Sequence, residues 1–369
     1  MTQDSSVIAF QELSNGDAVV VIDPCPFYAA GGGQEADKGL LVATDSQGAR
    51  HEYAVTDAQK LQNGSATVLY VPAVGEKSDM FSRGVPVTAS VDPARRLGNA
   101  VHHTATHLLN SALRQVLGPS VLQAGSLVEP RSLRFDFTSK PLTKEQLDEI
   151  ETIVNRAALS NAPVDVSEMS LDTAKSKGAL AMFSEKYDQN SVRVVEVPGH
   201  SMELCGGTHL HSVRGVFPFQ IISEGSIGAG TRRIEAVAGL AGSQWLQTQV
   251  GYAKHAAELL GCSTNMNTMA TKVQQGLAKQ KTAQMDAEYW LKVAAVHMQA
   301  TSLTVDVGGQ PLIVHALPNN AGESQMEGRG DPRVVKARAE HLRDAEPLSV
   351  HLVVQGKMAV LCVGAQCEG

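Results

Sequence analysis

Residues 92–118, DPARRLGNAVHHTATHLLNSALRQVLG, predict a long amphipathic helix. Asp92 suits the N-cap and Pro93 the first turn, while Gly118 followed by Pro119 ends the helix. Seven apolar residues at helical spacing form the stripe that such a helix buries. They are Leu97, Val101, Ala105, Leu108, Ala112, Leu113 and Val116.

The same helix carries His103 and His107, and a second pair with the same spacing, Cys205 and His209, lies about a hundred residues further on. On a helix, residues i and i+4 share one face and can bind one cation. Three imidazoles and one thiolate are a ligand set that zinc prefers. Two histidines four apart are by themselves more often packing or surface residues, but the second pair, flanked by glycines, favours one zinc ion held by all four side chains.

Composition restricts the class of protein. With 369 residues and 43% hydrophobic content, the chain is long enough for two or three globular domains. The N-terminus is not that of a signal peptide, and no apolar run is long enough for a membrane span. Five cysteines, an odd number, indicate a reducing, cytoplasmic setting. A formal charge of −7 argues against nucleic-acid binding by bulk charge, although a local basic patch stays compatible with it.

The order of elements predicts an α+β protein in four parts. Residues 1–91 contain strand-like runs separated by Gly and Asp, which favour a small β-barrel. Residues 92–240 predict an α/β core with helices on one face of a mostly antiparallel sheet, including strands at 217–222 and 233–237. Residues 241–302, rich in Ala, Gln and Lys, predict a helical hairpin through which two copies of the chain could associate. Residues 303–369 predict a partial α/β domain with a helix at 332–343.

A four-ligand zinc site leaves its role open. Closed sites are usually structural, whereas catalytic zinc keeps a position for water. The chain has no HExxH arrangement, no GxSxG nucleophile elbow and no GxxxxGK[ST] phosphate loop. These absences exclude a zincin-type peptidase and give no indication of ATP chemistry.

Other polar residues are candidates for binding a substrate. Thr106 neighbours His107, and Gln123 in Gln-Ala-Gly-Ser126 follows the helix after a turn. Thr106 could equally support helix packing, and Gln123 could be an ordinary loop residue. Arg232 and Arg233 end a glycine-rich stretch that could expose backbone N–H groups beside two guanidiniums to bind phosphate. Such arginine pairs are also common as solvated faces or as partners of carboxylates.

Seven motifs together resemble the editing half of alanyl-tRNA synthetases and the free-standing alanyl-tRNA editing proteins. They span about residues 20–240. They are Phe27-Tyr-Ala-Ala-Gly-Gly-Gly-Gln34, His103-Thr-Ala-Thr-His-Leu-Leu109, Gln123-Ala-Gly-Ser-Leu-Val128, Leu133-Arg-Phe-Asp-Phe137, Phe183-Ser-Glu-Lys-Tyr187, Glu203-Leu-Cys-Gly-Gly-Thr-His209 and Gly230-Thr-Arg-Arg-Ile-Glu-Ala236.

The resemblance implies zinc-dependent hydrolysis of tRNA(Ala) mischarged with serine or glycine. It implies His103, His107, Cys205 and His209 as the ligands of one Zn2+ ion, and Thr106 and Gln123 as residues of the catalytic pocket. Gly31, Gly32, Gly33, Gln34, Ser126, Arg232 and Arg233 would contact the aminoacylated end of the tRNA. We expect neither DNA nor a membrane as partner, and no aminoacylation. Editing of mischarged tRNA(Thr) fits the Cys-Gly-Gly-Thr-His block less well.

Three features depart from the family pattern. Cys25 stands where a threonine is usual, and His102 stands where an asparagine is usual, so that His102 could compete for the metal or face solvent. The expected glycine-rich, arginine-containing tail does not follow Val363 before the last residue, Gly369. The alternative function, from a different class, is a catalytically silent tRNA-binding module with structural zinc.

Overall fold

The computed structural model of the chain has an α+β fold, as predicted, and forms two compact units, residues 1–252 and 253–369. The boundaries predicted at 91, 240 and 302 stay predictions. The structure describes residues 2–45, 47–61, 64, 66–74, 80–181, 187–298, 301–307, 310–316, 336, 339–340, 342, 350–355 and 358–363.

The first layer of the first unit is a seven-stranded antiparallel sheet. In spatial order its strands are β4 (Arg50–Val55), β3 (Gly39–Thr44), β7 (Pro86–Val91), β1 (Thr2–Glu12), β2 (Ala18–Asp23), β6 (Thr67–Val71) and β5 (Asp57–Lys60).

This sheet curls into a half-barrel because its two edge strands are joined directly. The two edge strands, β4 and β5, are separated in sequence by Thr56 alone. One residue can connect opposite edges of a sheet only when the sheet curls enough to bring those edges together. Buried aliphatic side chains and Phe81, which is fully buried, fill the concave side. The strands alternate buried and partly exposed residues, as expected for a sheet with one covered face. The predicted small barrel is thus an open one.

The second layer contains the two helices predicted for the core, packed on a four-stranded antiparallel sheet. The helices are α1 (Pro93–Leu117) and α2 (Lys144–Leu159). The strands, in spatial order, are β13 (Gln220–Gly228), β14 (Thr231–Val237), β9 (Leu133–Thr138) and β8 (Gln123–Val128). Leu109 and Leu113 of α1 and Ile150 of α2 share one core with Phe135 of β9, and all are buried.

The ends of both helices follow the sequence signals. Asp92 accepts hydrogen bonds from the backbone N–H groups of Ala94 and Arg95, and Gly118 ends α1. Thr143 and Gln146 form the predicted capping box of α2. Both helices therefore begin where the chain supplies acceptors for the unpaired N–H groups of the first turn.

The segment between α2 and β13 supplies a third sheet and carries the second pair of candidate ligands. It contains β10 (Asp165–Met169), the short helix α3 (Leu171–Ser176), β11 (Val192–Val197) and β12 (Ser201–Leu204), followed by a 3-10 helix at Val213–Val216. The three strands pair antiparallel in chain order. Cys205 follows β12 directly, so this small sheet fixes the position of the Cys205 backbone. Residues 183–186 of the fifth motif lie outside the described residues.

One strand differs from its predicted bounds. The sequence predicted a strand at 217–222 followed by a phosphate-binding glycine loop, whereas β13 runs from Gln220 to Gly228. Pro218 lacks an N–H group for the ladder, which explains the later start. Gly225 pairs with Arg233 across the hairpin, so this part of the glycine-rich stretch lies in a β-ladder rather than in a loop.

Most of the region predicted as a helical hairpin, residues 241–302, is helical where the structure describes it. Helix α4 (Gly239–Leu259) begins in the first unit and ends in the second, and α5 (Met266–Met298) follows the predicted interruption at Gly261. A four-stranded sheet comprises β15 (Thr301–Val307), β16 (Gln310–Ala316), β17 (Val350–Gln355) and β18 (Met358–Val363). The helix predicted at 332–343 lies mostly outside the described residues. Among the residues the structure describes, no helix is long and apolar enough to cross a bilayer.

His102 neither faces solvent nor points to the candidate ligands. Its side chain is 1% exposed, its Nδ1–H donates to Gly98 O (2.9 Å), and its Nε2 accepts from Ala238 N (3.1 Å). Burial lowers the pKa of His102 to about 4, so the ring is neutral. The imidazole therefore links α1 to the residue that follows β14.

A first prediction concerns Gly98 in the second turn of α1. Gly to Ala usually stabilises a helix by about 0.5–1 kcal/mol. At Gly98, however, an added Cβ would lie 2.2 Å from Pro130 O. We expect Gly98→Ala to lower the free energy of unfolding by about 1–3 kcal/mol, as overpacking does. Gly251→Ala in α4, where an added Cβ would meet no atom from outside its own stretch of helix within 4 Å among the described residues, is the matched control and should be neutral or stabilising. Denaturation of both variants decides, and equal stability would contradict the packing described.

A second prediction concerns pH. Because the folded-state pKa of His102 is depressed, the unfolded chain binds its proton first, and stability falls as pH drops below about 6.5. His102→Gln can keep one donor and one acceptor without titrating. Between pH 6.5 and 4.5 we expect the metal-free wild type to lose about 2 kcal/mol more than this variant. Parallel losses in urea denaturation would show that His102 is not held neutral.

Candidate metal centre

Four side chains from two distant segments converge on one point. One ligand atom from each of His103, His107, Cys205 and His209 lies within 4.8 Å of the others. Cys205 Sγ is 3.3 Å from His103 Nε2 and 3.3 Å from His209 Nε2. Zinc bonds of about 2.0–2.3 Å in a tetrahedron place ligand atoms about 3.3–3.8 Å apart. The two predicted pairs thus meet at spacings suited to one small cation.

The two pairs reach this arrangement differently. His103 and His107 are one turn apart on α1, as the helical spacing predicted. Cys205 and His209 lie in an irregular loop between β12 and the 3-10 helix, not on a helix. Gly207 brings this loop close to α1, since a Cβ there would lie 2.0 Å from His103 Cε1. Glycine is therefore required in the second motif by a close approach.

Burial sets the protonation states of the cluster. It lowers the pKa of His107 to about 3, with a smaller contribution from the Arg193 guanidinium. Burial, together with the neighbouring histidines and Arg193, holds the pKa values of His103 and His209 well below the usual range. All three rings are thus in the neutral state that binds metals. Burial also raises the pKa of the Cys205 thiol to about 11, so its proton is held until a cation replaces it.

Buried polar groups fix the orientation of two ligand rings. Gln34 is 2% exposed, and its Oε1 accepts from His103 Nδ1–H (2.7 Å) and from Thr208 N–H (3.0 Å). Thr104 Oγ1 accepts from His209 Nδ1–H (3.2 Å) and from Leu210 N–H (3.2 Å). In both rings Nε2 is left free for a metal, which is the usual role of such outer partners.

The third imidazole lies beside a buried carboxyl group. Glu203 Oε2 is 3.6 Å from His107 Nε2, while Oε1 accepts from Asn110 Nδ2 (3.0 Å) and Ser201 Oγ (2.9 Å). Burial raises the pKa of Glu203 to about 7. His107 Nδ1 is buried with no hydrogen-bond partner among the described residues. An orphaned buried nitrogen in a cluster of soft and borderline donors fits a site built for a cation.

The sequence did not predict a role for Arg193, whose guanidinium lies against the ligand loop. Its NH1 group donates to Cys205 O (2.7 Å) and Gly207 O (2.9 Å), which holds the ligand loop on β11. Its remaining N–H groups have no partner among the described residues. Arg193, Arg96, Thr208 and His209 line a cavity of about 570 Å³. Arg193 contacts the loop only because the folded sheet places the two opposite each other. No motif near Arg193 in the sequence indicates this contact.

The glycine loop predicted to contact substrate lies against β8 beside the cluster. Gly32 and Gly33 have positive φ angles of 59° and 82°, and a Cβ on Gly33 would meet Ser126 Oγ at 2.5 Å. Gly31 and Gln34 close the turn by pairing with each other. Through Gln34 the loop reaches His103, so that its predicted residues are brought together with the metal cluster. The Gln34 amide itself is engaged within the protein.

Gln123 and Ser126 are linked on β8. Gln123 Nε2 donates to Ser126 Oγ (3.1 Å), and both side chains are partly exposed. In the described part of the chain Gln123 Oε1 has no partner, so one acceptor is available. Thr106, by contrast, is 5% exposed and donates its hydroxyl hydrogen to His102 O (2.8 Å) within α1.

Arg232 and Arg233 lie on the β13–β14 hairpin and are both paired with carboxylates. Arg232 Nε and NH2 donate to Glu224 (2.5 and 2.7 Å), and Arg233 donates to Asp136 through the same two groups (2.7 and 2.8 Å). Of the two alternatives weighed from sequence, the structure shows carboxylate partners. Two other arginines are likewise engaged, Arg95 with Glu35 and Arg96 with Asp37.

A third prediction follows from the thiol. Between pH 7.5 and 9 the three imidazoles are already neutral, while Cys205 must release one proton when zinc binds. We expect zinc affinity to rise about tenfold per pH unit in this range. Cys205→Ala should bind zinc more weakly and lose most of this slope. Competition with a chromophoric chelator measures both quantities, and full zinc occupancy of the variant at every pH would contradict the four-ligand site.

Comparison with known proteins identifies relatives of this chain. Residues 192–235 match the threonyl and alanyl tRNA synthetase second additional domain. The chain is 42% identical over 325 residues to an alanine–tRNA ligase of Latilactobacillus sakei, which covers 87% of this chain and 36% of the relative. It is 39% identical over 315 residues to that of Geobacillus kaustophilus, covering 84% and 34%.

A third relative is the alanine–tRNA ligase of Haemophilus influenzae, 41% identical over 290 residues, covering 77% of this chain and 31% of the relative. The chain thus spans about a third of the length of the curated relatives it matches. These matches confirm the resemblance drawn from the motifs: the chain is related to alanine–tRNA ligases over most of its length and carries the second additional domain of the threonyl and alanyl tRNA synthetases.

Proposed function

We propose that this chain is a cytoplasmic, zinc-dependent editing hydrolase that cleaves the ester of tRNA(Ala) mischarged with serine, and with glycine as a second amino acid. The observation that carries the proposal is the four-ligand cluster, whose member His209 lines a cavity together with Arg193. The relationship to alanine–tRNA ligases supports tRNA(Ala) as the nucleic acid.

A bound zinc ion would supply a Lewis acid that can polarise an ester carbonyl or lower the pKa of a water. His103, His107, Cys205 and His209 would hold it, and Gln34 and Thr104 would keep two of the rings oriented. The aminoacyl ester is already activated, so positioning of ester and water is the main task of the protein. The unpaired N–H groups of Arg193 can hold the negatively charged end of the tRNA beside the ligand loop.

Gln123 is the residue proposed to sense the amino acid. Its Oε1 is available to accept a hydrogen bond from the hydroxyl of a seryl group, while its Nε2 is held by Ser126. Alanine offers no hydroxyl and would leave the acceptor unpaired. A site that hydrogen-bonds a substrate hydroxyl rejects the analogue lacking it more strongly than an apolar pocket rejects an extra atom.

Deacylation of Ser-tRNA(Ala) by the purified, zinc-loaded protein tests the proposal. The expected result is rapid loss of the seryl ester and slow loss of the alanyl ester. An unchanged ester half-life at micromolar protein with full zinc occupancy would favour the alternative, a silent tRNA-binding module with structural zinc.

A fourth prediction concerns Gln123→Met, which keeps the length of the side chain but removes the amide. Loss of one hydrogen bond to substrate should lower kcat/KM for Ser-tRNA(Ala) about 5- to 100-fold. Zinc content should not change, because no candidate ligand contacts Gln123 in the described hydrogen-bond network. Parallel loss of zinc would instead show that Gln123 is structural.

A further inference from the structure

Three cavities adjoin one another along the N-terminal half of α1. The first, of about 570 Å³, is lined by the candidate ligand His209 and its neighbour Thr208. The second, of about 700 Å³, meets the first at Leu97 and Leu210, which line both. The third, of about 430 Å³, shares Lys38 and Arg131 with the second. Together they form one groove, here called the α1 groove, that starts at the metal centre and leads away from it.

The charges along the α1 groove suit a polyanion. Lys38 and Arg131 are exposed and have no acidic partner among the described residues. Of the lining carboxylates, Glu35 pairs with Arg95, while Asp92 and Glu129 accept hydrogen bonds from neutral donors and keep their negative charge. The lining of the three cavities still carries more cations than carboxylates: Lys38, Arg95, Arg96, Arg131 and Arg193 against these three. With Arg193 at the metal end, unpaired cations therefore stand at both ends of the groove in a chain whose formal charge is −7.

The middle of the groove is apolar. Leu97 is 58% exposed and Leu240 is 75% exposed, and both line the second cavity. Single-stranded nucleic acid combines flat apolar base faces with a charged backbone, and proteins bind it in cationic grooves whose side chains, most often aromatic, contact the base faces. Here the two leucines offer aliphatic surface for such contacts. A groove that is apolar in the middle and cationic at its ends has the matching pattern.

We propose that the α1 groove binds the single-stranded 3′ end of the tRNA. In an aminoacyl-tRNA the ester lies on the terminal nucleotide, so the strand must leave the metal centre along a path on the protein surface. Arg193 would contact phosphate next to the ester, Leu97 and Leu240 would contact bases, and Lys38 and Arg131 would contact phosphates further along. This inference rests on the proposed function for the identity of the nucleic acid, but not on hydrolysis.

The test compares binding of two uncharged tRNA(Ala) molecules, one intact and one lacking its single-stranded 3′ nucleotides, to the zinc-loaded full chain by fluorescence anisotropy. The test variant is Lys38→Gln/Arg131→Gln. The matched control is Lys60→Gln/Lys144→Gln, which removes two exposed lysines that line none of the three cavities. Neither pair is buried, so both variants should fold.

For intact tRNA we expect the test variant to bind about tenfold more weakly and to reduce the slope of log Kd against log salt by about 1.4, as two lost single-strand phosphate contacts imply. The control variant should bind like the wild type. For the shortened tRNA, test variant and wild type should bind equally. Equal binding of intact tRNA by all three proteins, or an equal loss on both tRNAs, would overturn the assignment. No ester is cleaved in this assay. The binding result therefore tests the α1 groove even if the protein proves to have no deacylase activity.

Discussion

The close approach of the Cys205–His209 loop to helix α1 is the constraint on which the site depends. It requires Gly207, because any side chain there would collide with His103. It also requires Arg193, whose guanidinium holds two carbonyl groups of the loop. Once the loop is in place, three neutral imidazoles and one protonated thiol are buried side by side. A cation is the group that such a buried set of donors lacks.

The rest of the first unit serves to position this contact. The half-barrel delivers the Gly31–Gln34 turn to His103, and the four-stranded sheet supports α1 from its other side. Gln34 is the meeting point, since it joins the barrel layer to α1 and to the ligand loop with three hydrogen bonds. The glycine loop is therefore linked to the candidate metal ligand His103 through the buried side-chain amide of Gln34.

Local signals in the sequence were sufficient for much of this structure. Capping residues and apolar spacing predicted α1 and α2, and ligand chemistry predicted the four members of the metal cluster. Signals that depend on tertiary pairing were not available. Arg193 lies in none of the quoted motifs and acts through the Cys205 loop, which follows it on another strand. Thr104 and Glu203 do lie in motifs, but their contacts with His209 and His107 arise only in the folded chain. The glycine-rich stretch before Arg232 was expected to be a loop because glycine has a low strand propensity, but pairing across the hairpin overrides that propensity.

The coordination of zinc most directly tests whether the two ligand pairs bind one ion. X-ray absorption at the zinc edge of the zinc-loaded protein reports the number and type of atoms bound to the metal. The four-ligand site predicts one sulfur at about 2.3 Å and nitrogen neighbours at about 2.0–2.1 Å, with the sulfur signal lost in Cys205→Ala. A spectrum without sulfur, or one unchanged by that substitution, would contradict the convergence of the two motifs on one ion.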